Sequence, residues 1–199
     1  QSAANYGSWN VFRLLVEAKA DPHFPSWENF GGVPGLTLRK NAPEDLFAEL
    51  VEKGFSPIET DSQKFRNLRN AASHNSRAFF QLIDMGLDPN FVPAGHQGAV
   101  STLLIGMLNE PVREYLIENE EYVVVIADLE RALNFADRLP AGTITRLLAR
   151  AKFDLNDKTN SGNSLIFSAV AAESDAHAQA VAELIEAGLK IDVRDKQLN

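Results

Sequence analysis

Pairs of bulky aliphatic residues recur along the chain, and their spacing predicts a repeated unit. Each copy has two aliphatic residues, two further positions and then, in most copies, a small residue that can end a helix. The copies begin at Leu14, Leu50, Leu82, Leu116, Leu147 and Leu184. Successive copies are 31 to 37 residues apart, with a mean of 34. A period of this length is typical of short supersecondary units that stack and cover each other's apolar faces.

Each aliphatic pair closes an amphipathic helix, and a second helix is predicted before it. In the third copy, Phe79 and Leu82 fall at helical spacing, Ser76 is the expected N-cap, and Gly86 can supply the left-handed residue that ends the helix. The pattern predicts a mainly helical chain with almost no sheet beyond short hairpins in the loops between helix pairs. The helix pairs should end near Ala18, Gly54, Gly86, Glu120, Ala151 and Gly188.

The helix endings also carry a recognisable sequence. The first copy ends in Asp21-Pro22, the third ends in Gly86-Leu87-Asp88-Pro89-Asn90, and the sixth has Gly162-Asn163-Ser164-Leu165 at its opening turn. These residues resemble the ankyrin repeat, whose pattern joins a Gly-x-Thr-Pro-Leu-His turn to a Leu-Leu-x-x-Gly-Ala-Asp-Pro-Asn ending. The resemblance covers nearly the whole chain, but each copy is partial. No Thr-Pro-Leu-His is intact, and Phe167 stands at the position of the turn-stabilising histidine.

The resemblance implies an all-α fold, an ankyrin-repeat solenoid of about six degenerate helix-turn-helix repeats in a single domain over residues 1–199. The predicted repeats cover residues 1–23, 36–59, 64–90, 99–121, 128–156 and 162–193, with an insertion at 24–41. The tetratricopeptide repeat also has a period of about 34 residues. Its aromatic and Leu-Gly signature is absent, and the long connections after Gly86 and Ala151 favour ankyrin fingers.

Composition and charge narrow the functional classes. The net charge of −8 argues against a nucleic-acid partner, because neutralisation of phosphates supplies most of that affinity. The chain has no cysteine, which excludes disulfides and thiolate metal sites. The longest dense apolar stretch, 122–127, is far shorter than the roughly 20 residues of a membrane-spanning helix. The compartment stays open between cytoplasmic and, if a signal peptide preceded Gln1, periplasmic or secreted.

The sequence contains no recognisable catalytic or metal-binding constellation. No two of its four histidines stand at helical ligand spacing, and no nucleophile, base and orienting group come together. The chain is therefore predicted not to be an enzyme and to need no cofactor or metal. Acidic residues gather between Glu110 and Glu130, which indicates either a recognition patch for a basic partner or a solvated face.

The resemblance implies a protein–protein interaction module that binds through its fingers and concave face. The predicted partner is another protein, and the unbound chain is predicted to be a monomer. Aromatic residues and a histidine on two finger loops are the predicted contact residues: Trp27, Phe30, Phe91 and His96. The alternatives are a bacterial inhibitor or immunity-type protein and the recognition domain of a larger effector or enzyme.

Overall fold

The computed structural model describes residues 7–19, 32–38, 42–94, 101–159, 162–170 and 174–191. Those residues form eleven α-helices, one short 3₁₀ turn at Ala136–Arg138 and no β-strand. The helices are α1 Trp9–Glu17, α2 Gly32–Leu36, α3 Leu46–Glu52, α4 Asp61–His74, α5 Ser76–Asp84, α6 Thr102–Gly106, α7 Glu110–Glu118, α8 Ile126–Asn134, α9 Thr143–Arg150, α10 Leu165–Ala169 and α11 Asp175–Glu186. The predicted all-α class is confirmed for the described residues.

The predicted helix ends are confirmed. Helices α1, α3, α5, α7, α9 and α11 each end within two residues of the predicted position. Gly54, Gly86 and Gly188 follow three of them with φ of 91°, 88° and 98°. Each of these glycines donates its N–H to the carbonyl three residues earlier, at 2.8–3.0 Å. A left-handed residue at this position is most easily supplied by glycine, which explains why the sequence located these ends.

The first copy is displaced by one residue from its predicted register. Lys19 has a φ of 54° and donates its N–H to Val16 O at 3.1 Å, so it occupies the position of Gly54 and Gly86. Counting back from Lys19, the residue equivalent to Leu50 is Leu15 and not Leu14. The left-handed residue here is a lysine, which no glycine-based pattern identifies.

The N-cap of α5 is also one residue earlier than predicted. Asn75 lies between α4 and α5, and its side-chain oxygen accepts a hydrogen bond from the Ala78 N–H at 3.0 Å. Its side-chain nitrogen donates to Glu44 O at 3.3 Å. Asn75 therefore caps α5 and also ties it to the segment before α3, whereas Ser76 is already the first residue of the helix.

Removing this cap should measurably weaken the fold. We expect Asn75→Ala to lower the free energy of unfolding by about 1 kcal/mol, the usual cost of losing a side-chain N-cap. Ser76→Ala is the matched control, because the Ser76 side chain makes no hydrogen bond with another described residue. Urea titration of both variants measures the difference. Equal losses in the two variants would contradict the capping role of Asn75.

The chain divides into two compact units, residues 1–102 and 103–199. In the first unit, α2 packs on α4 and α3 packs on α5, while α2 contacts α3 and α4 contacts α5. In the second unit, α8 packs on α10, α9 on α11, α8 on α9 and α10 on α11. Within each unit, helix pairs therefore pack side by side, with first helix on first helix and second on second. The single repeat domain over 1–199 stays a prediction.

One repeated position forms the centre of this packing. The aliphatic residue four positions before the left-handed residue is at most 1% exposed at Leu50, Leu82 and Leu184. At the equivalent position of α1, Leu15 is 43% exposed. Val11 is 50% exposed, although its counterparts on α3 and α5 are buried. Helix α1 thus keeps one apolar face in solvent, while Phe12 on its other face is buried against Leu46 and Leu50.

Candidate partner-binding surface

Three of the four predicted contact residues, Trp27, Phe30 and His96, lie outside the described residues. The fourth, Phe91, is half-buried, and the Lys64 ammonium lies 5.6 Å from the centre of its ring. Its N–H donates to Asp88 O at 3.0 Å, within the turn that follows α5. Phe91 is therefore partly engaged by its own unit. The contact role of these four residues stays a prediction.

The structure instead brings two loops of residues 103–199 together. The first loop, residues 122–126, leads from α7 into α8 and ends at Ile126, the first residue of that helix. The second loop, residues 152–158, follows α9. Between them lies an open groove of 580 Å³, which we call the loop groove. Its lining is Val123, Val124, Val125 and Ile126 on one side and Lys152, Phe153, Asp157 and Lys158 on the other.

The first loop presents valine side chains to solvent. Tyr122 and Val124 are 3% and 5% exposed, whereas Val123 and Val125 are 60% and 39% exposed. Val125 has extended backbone angles, and successive side chains of an extended segment point to opposite sides. The loop therefore inserts every second side chain into the protein and leaves the other two as an apolar surface in the groove.

A buried hydrogen-bond network fixes the position of this loop. The Tyr122 hydroxyl accepts from the Leu103 N–H at 3.1 Å and donates to the Asp128 carboxylate at 3.5 Å. Asp128 is fully buried and accepts from the Val125 N–H at 3.0 Å. Both ends of the valine segment are thus attached to groups in the interior, so its exposed side chains are held in place.

Arg150 attaches the same loop to two helices. Its guanidinium, at the end of α9, donates to the carbonyl oxygens of Leu116 at 3.0 Å, of Ile117, and of Tyr122 at 2.6 Å. Leu116 and Ile117 belong to the last turn of α7, where unpaired carbonyls carry partial negative charge and a cation is stabilising. One side chain therefore caps α7 and holds the start of the valine loop.

The second loop brings two lysines and one aspartate to the lining of the groove. Lys152 and Lys158 are exposed, and neither has an ion-pair partner in the part of the chain that the structure describes. Asp154 at the tip of the loop accepts hydrogen bonds from the backbone and side-chain nitrogens of Asn156 at 2.9 and 2.8 Å. These bonds hold the pKa of Asp154 below its usual range. The carboxylate thus stabilises the turn and makes no ion pair with either lysine.

The described arginines of the same unit are all engaged within the protein. They contact carboxylates, backbone carbonyls or an aromatic ring: Arg113, Arg131, Arg138, Arg146 and Arg150. Lys152 and Lys158, in contrast, have no ion-pair partner among the described residues.

The acidic stretch at 110–130 is not a uniform patch. Arg146 pairs with Glu114 and, at 3.3 Å, with Glu118. Burial alone would raise the pKa of Glu114, but hydrogen bonds from Arg146 and Arg113 outweigh it and hold that pKa below its usual range. Asp128 is buried, whereas Glu110, Glu118, Glu120 and Glu121 are exposed.

Serine, histidine and aspartate meet at one further place. The Ser174 hydroxyl bonds to the Asp137 carboxylate and lies 2.9 Å from His177 Nδ1, which is 3.4 Å from Asp137. A hydrolytic triad needs the imidazole between the other two groups, with one nitrogen facing each. Here Ser174 and Asp137 face the same nitrogen, and Ser174 also accepts from the His177 N–H as the N-cap of α11. The cluster caps a helix and joins α11 to the 3₁₀ turn.

A cavity of the first unit lies between α1 and α3. It measures 740 Å³, and Phe12, Val16, Leu46 and Leu50 form its apolar part. Arg13 crosses it with two bonds to the Glu49 carboxylate at 2.8 and 2.9 Å and one contact with Asp45 at 3.4 Å. These ion pairs neutralise the Arg13 guanidinium from within the chain.

The described residues contain no cluster of histidine, aspartate and glutamate side chains that could hold a metal ion. No helix among them is long and apolar enough to cross a membrane. No protein-family model matches the chain, and no curated protein or solved structure matches it significantly. The ankyrin resemblance therefore rests on the sequence pattern.

Proposed function

We propose that this chain is a degenerate ankyrin-type repeat module that binds another protein through the loop groove. The observation that carries the proposal is the pair of exposed valines, Val123 and Val125, on a loop fixed by Asp128 and Arg150. An apolar surface that is already ordered loses little conformational entropy on association, which favours binding. In the free protein, by contrast, the exposed part of a valine side chain stays in contact with water and adds little to the stability of the fold.

Two features support the repeat assignment. Helices recur as pairs at the mean spacing of 34 residues, and within each unit equivalent helices pack on one another. Long loops follow the second helix of a pair, as at 152–158, and such loops are the fingers that ankyrin-type modules use for binding. The loop groove lies between two of these loops, where a partner segment can contact both.

The test is affinity capture from a lysate of the source cells. The groove variant carries Val123→Asp with Val125→Asp, and the control variant carries Val170→Asp with Ile185→Asp. The control positions are 56% and 45% exposed and lie outside the groove lining. We expect partners captured by the wild type to bind the groove variant at least about tenfold more weakly, since an interface anchor contributes about 2 kcal/mol or more.

Quantitative mass spectrometry of the captured proteins measures this loss. The control variant should retain the same partners, and circular dichroism should give the same helical signal for all three proteins. If the groove variant retains every partner at wild-type affinity, the loop groove is not the binding site.

A further inference from the structure

We propose that α1 is a second docking surface, which takes a basic amphipathic helix of another protein. This surface shares no residue with the loop groove, so it goes beyond the proposed function and does not depend on it. Three features of the chain support it. They are an apolar stripe that faces solvent, the way in which α3 uses the equivalent positions, and the charge of the surrounding residues.

The solvent-facing side of α1 is apolar. Val11, Leu14 and Leu15 are 50%, 64% and 43% exposed, and Ala18 at the end of the helix is exposed as well. Residues three, four and seven positions apart fall on the same side of an α-helix, so the three large side chains form one stripe, which we call the α1 stripe. Single exposed aliphatic residues are ordinary, whereas a contiguous apolar patch is typical of an interaction site.

The next helix pair shows what such a stripe accepts. Leu46 and Leu50 occupy on α3 the positions that Val11 and Leu15 occupy on α1. Both leucines are 1% exposed, because they lie in a cluster with Phe12 of α1. Inside the protein, this pair of positions is therefore covered by a helix that contributes a bulky apolar side chain. The same kind of occupant fits the α1 stripe.

The charges beside the α1 stripe favour a basic occupant. Glu17 follows Leu14 by three positions and so borders the stripe. The cavity between α1 and α3 has four carboxylates and two cations in its described lining, an excess of two negative charges. One of the cations, Arg13, is already bound by Glu49. Glu17 and Glu52 are exposed and make no ion pair within the described part of the chain, so both can meet a lysine or arginine.

The wider surface has the same sign. Residues 1–59 contain eight aspartates and glutamates and five lysines and arginines, and the whole chain carries a net charge of −8. A basic helix is therefore attracted on approach, and an acidic helix is repelled, over a distance of about 8–10 Å at moderate salt. The same repulsion disfavours an anionic lipid surface, the other ligand that an exposed apolar helix face attracts.

The experiment is a selection from phage-displayed sixteen-residue peptides with helical patterning. Apolar residues occupy positions i, i+3, i+4 and i+7, and the flanking positions are randomised over Lys, Arg, Glu, Asp, Gln and Ser, so that basic and acidic helices compete. The library is first depleted on the stripe variant, Val11→Ser with Leu15→Ser, and then selected on the wild-type chain. We expect the enriched peptides to carry net positive charge. Enrichment of acidic or uncharged peptides, or of none, would overturn the inference.

Circular dichroism checks that the stripe variant is folded. Both of its substituted side chains are about half exposed, so it should keep the wild-type helical signal. If it does not, Leu14→Ser, at the most exposed position of the α1 stripe, takes its place in the depletion step.

Fluorescence anisotropy of an enriched peptide then measures the charge contribution. The variant Glu17→Gln with Glu52→Gln should bind about three- to tenfold more weakly and with less salt dependence, because exposed charge pairs contribute modestly and are screened by salt. The control, Glu120→Gln with Glu186→Gln, loses the same charge at exposed positions of residues 103–199 and should bind as the wild type does. Equal affinities of the carboxylate variant and the control would overturn the inference.

Two further measurements distinguish other outcomes. In analytical ultracentrifugation, a wild-type dimer that the stripe variant converts to a monomer would mean that a second copy covers α1, which would overturn the inference. The groove variant, Val123→Asp with Val125→Asp, should bind the enriched peptide as the wild type does. If that variant also keeps every captured partner, the proposed function fails while the inference for α1 stands. If only the peptide selection fails, the inference for α1 fails and the proposed function stands.

Discussion

Replacing Leu82 by alanine is expected to lower the free energy of unfolding by about 2–5 kcal/mol, the usual cost of a large-to-small substitution in a packed core. Leu82 is 0% exposed on α5, the helix that packs against α3 and α4. Its removal leaves a cavity at the position where one helix pair covers the next. Because neighbouring helices are already close-packed, they can fill that cavity only in part.

Leu15→Ala is the matched control for this prediction. Leu15 occupies the equivalent position on α1, but it is 43% exposed and much of its side chain already contacts water. We expect a loss below about 1 kcal/mol, because little apolar area is returned to solvent. Guanidinium titrations of both variants give the comparison. Equal losses would contradict the helix register, and a loss near zero at Leu82 would contradict the packing.

The second large effect is expected at Arg150. Arg150→Met keeps much of the side-chain volume but removes the hydrogen bonds to Leu116, Ile117 and Tyr122. Hydrogen bonds to a charged group contribute about 1.5–3 kcal/mol each, and water can replace part of them at this half-buried site. We therefore expect a loss of about 2–3 kcal/mol in the free energy of unfolding.

Lys152→Met is the control, since Lys152 is exposed two residues later and makes no ion pair in the described part of the chain. It should change the stability by less than about 0.5 kcal/mol, the usual size of a surface effect. Urea denaturation measures both variants. An Arg150→Met protein as stable as the wild type would show that the guanidinium does not hold the loop.

Local sequence signals predicted most of the helix ends, because such an end depends on the conformation of a single residue. Gly54, Gly86 and Gly188 each supply a left-handed conformation that glycine adopts without strain. The same signal failed at Lys19, where the rest of the structure holds a lysine in that conformation. Helix α2 lies inside 24–41, the range predicted as an insertion. The sequence did not predict this helix, because its five residues include Gly32, Pro34 and Gly35 and show no helical period.

The loop groove could be predicted only in part. The apolar run at 122–127 is visible in the sequence, and so are the lysines of the second loop. Which valines face solvent depends on Tyr122 and Asp128, and Tyr122 is bound by a residue 19 positions earlier. The ion pairs that divide the acidic stretch come from Arg146, 28 and 32 residues from its partners. Contacts at such separations leave no local pattern.

Binding through the loop groove is tested most directly by hydrogen–deuterium exchange on the complex with a captured partner. The measurement compares amide exchange in the free and bound protein along the whole chain. We predict slower exchange on binding in residues 122–126 and 152–158, with little change in α4 and α5. Unchanged exchange in both loops, with protection on another surface such as the exposed face of α1, would contradict the account.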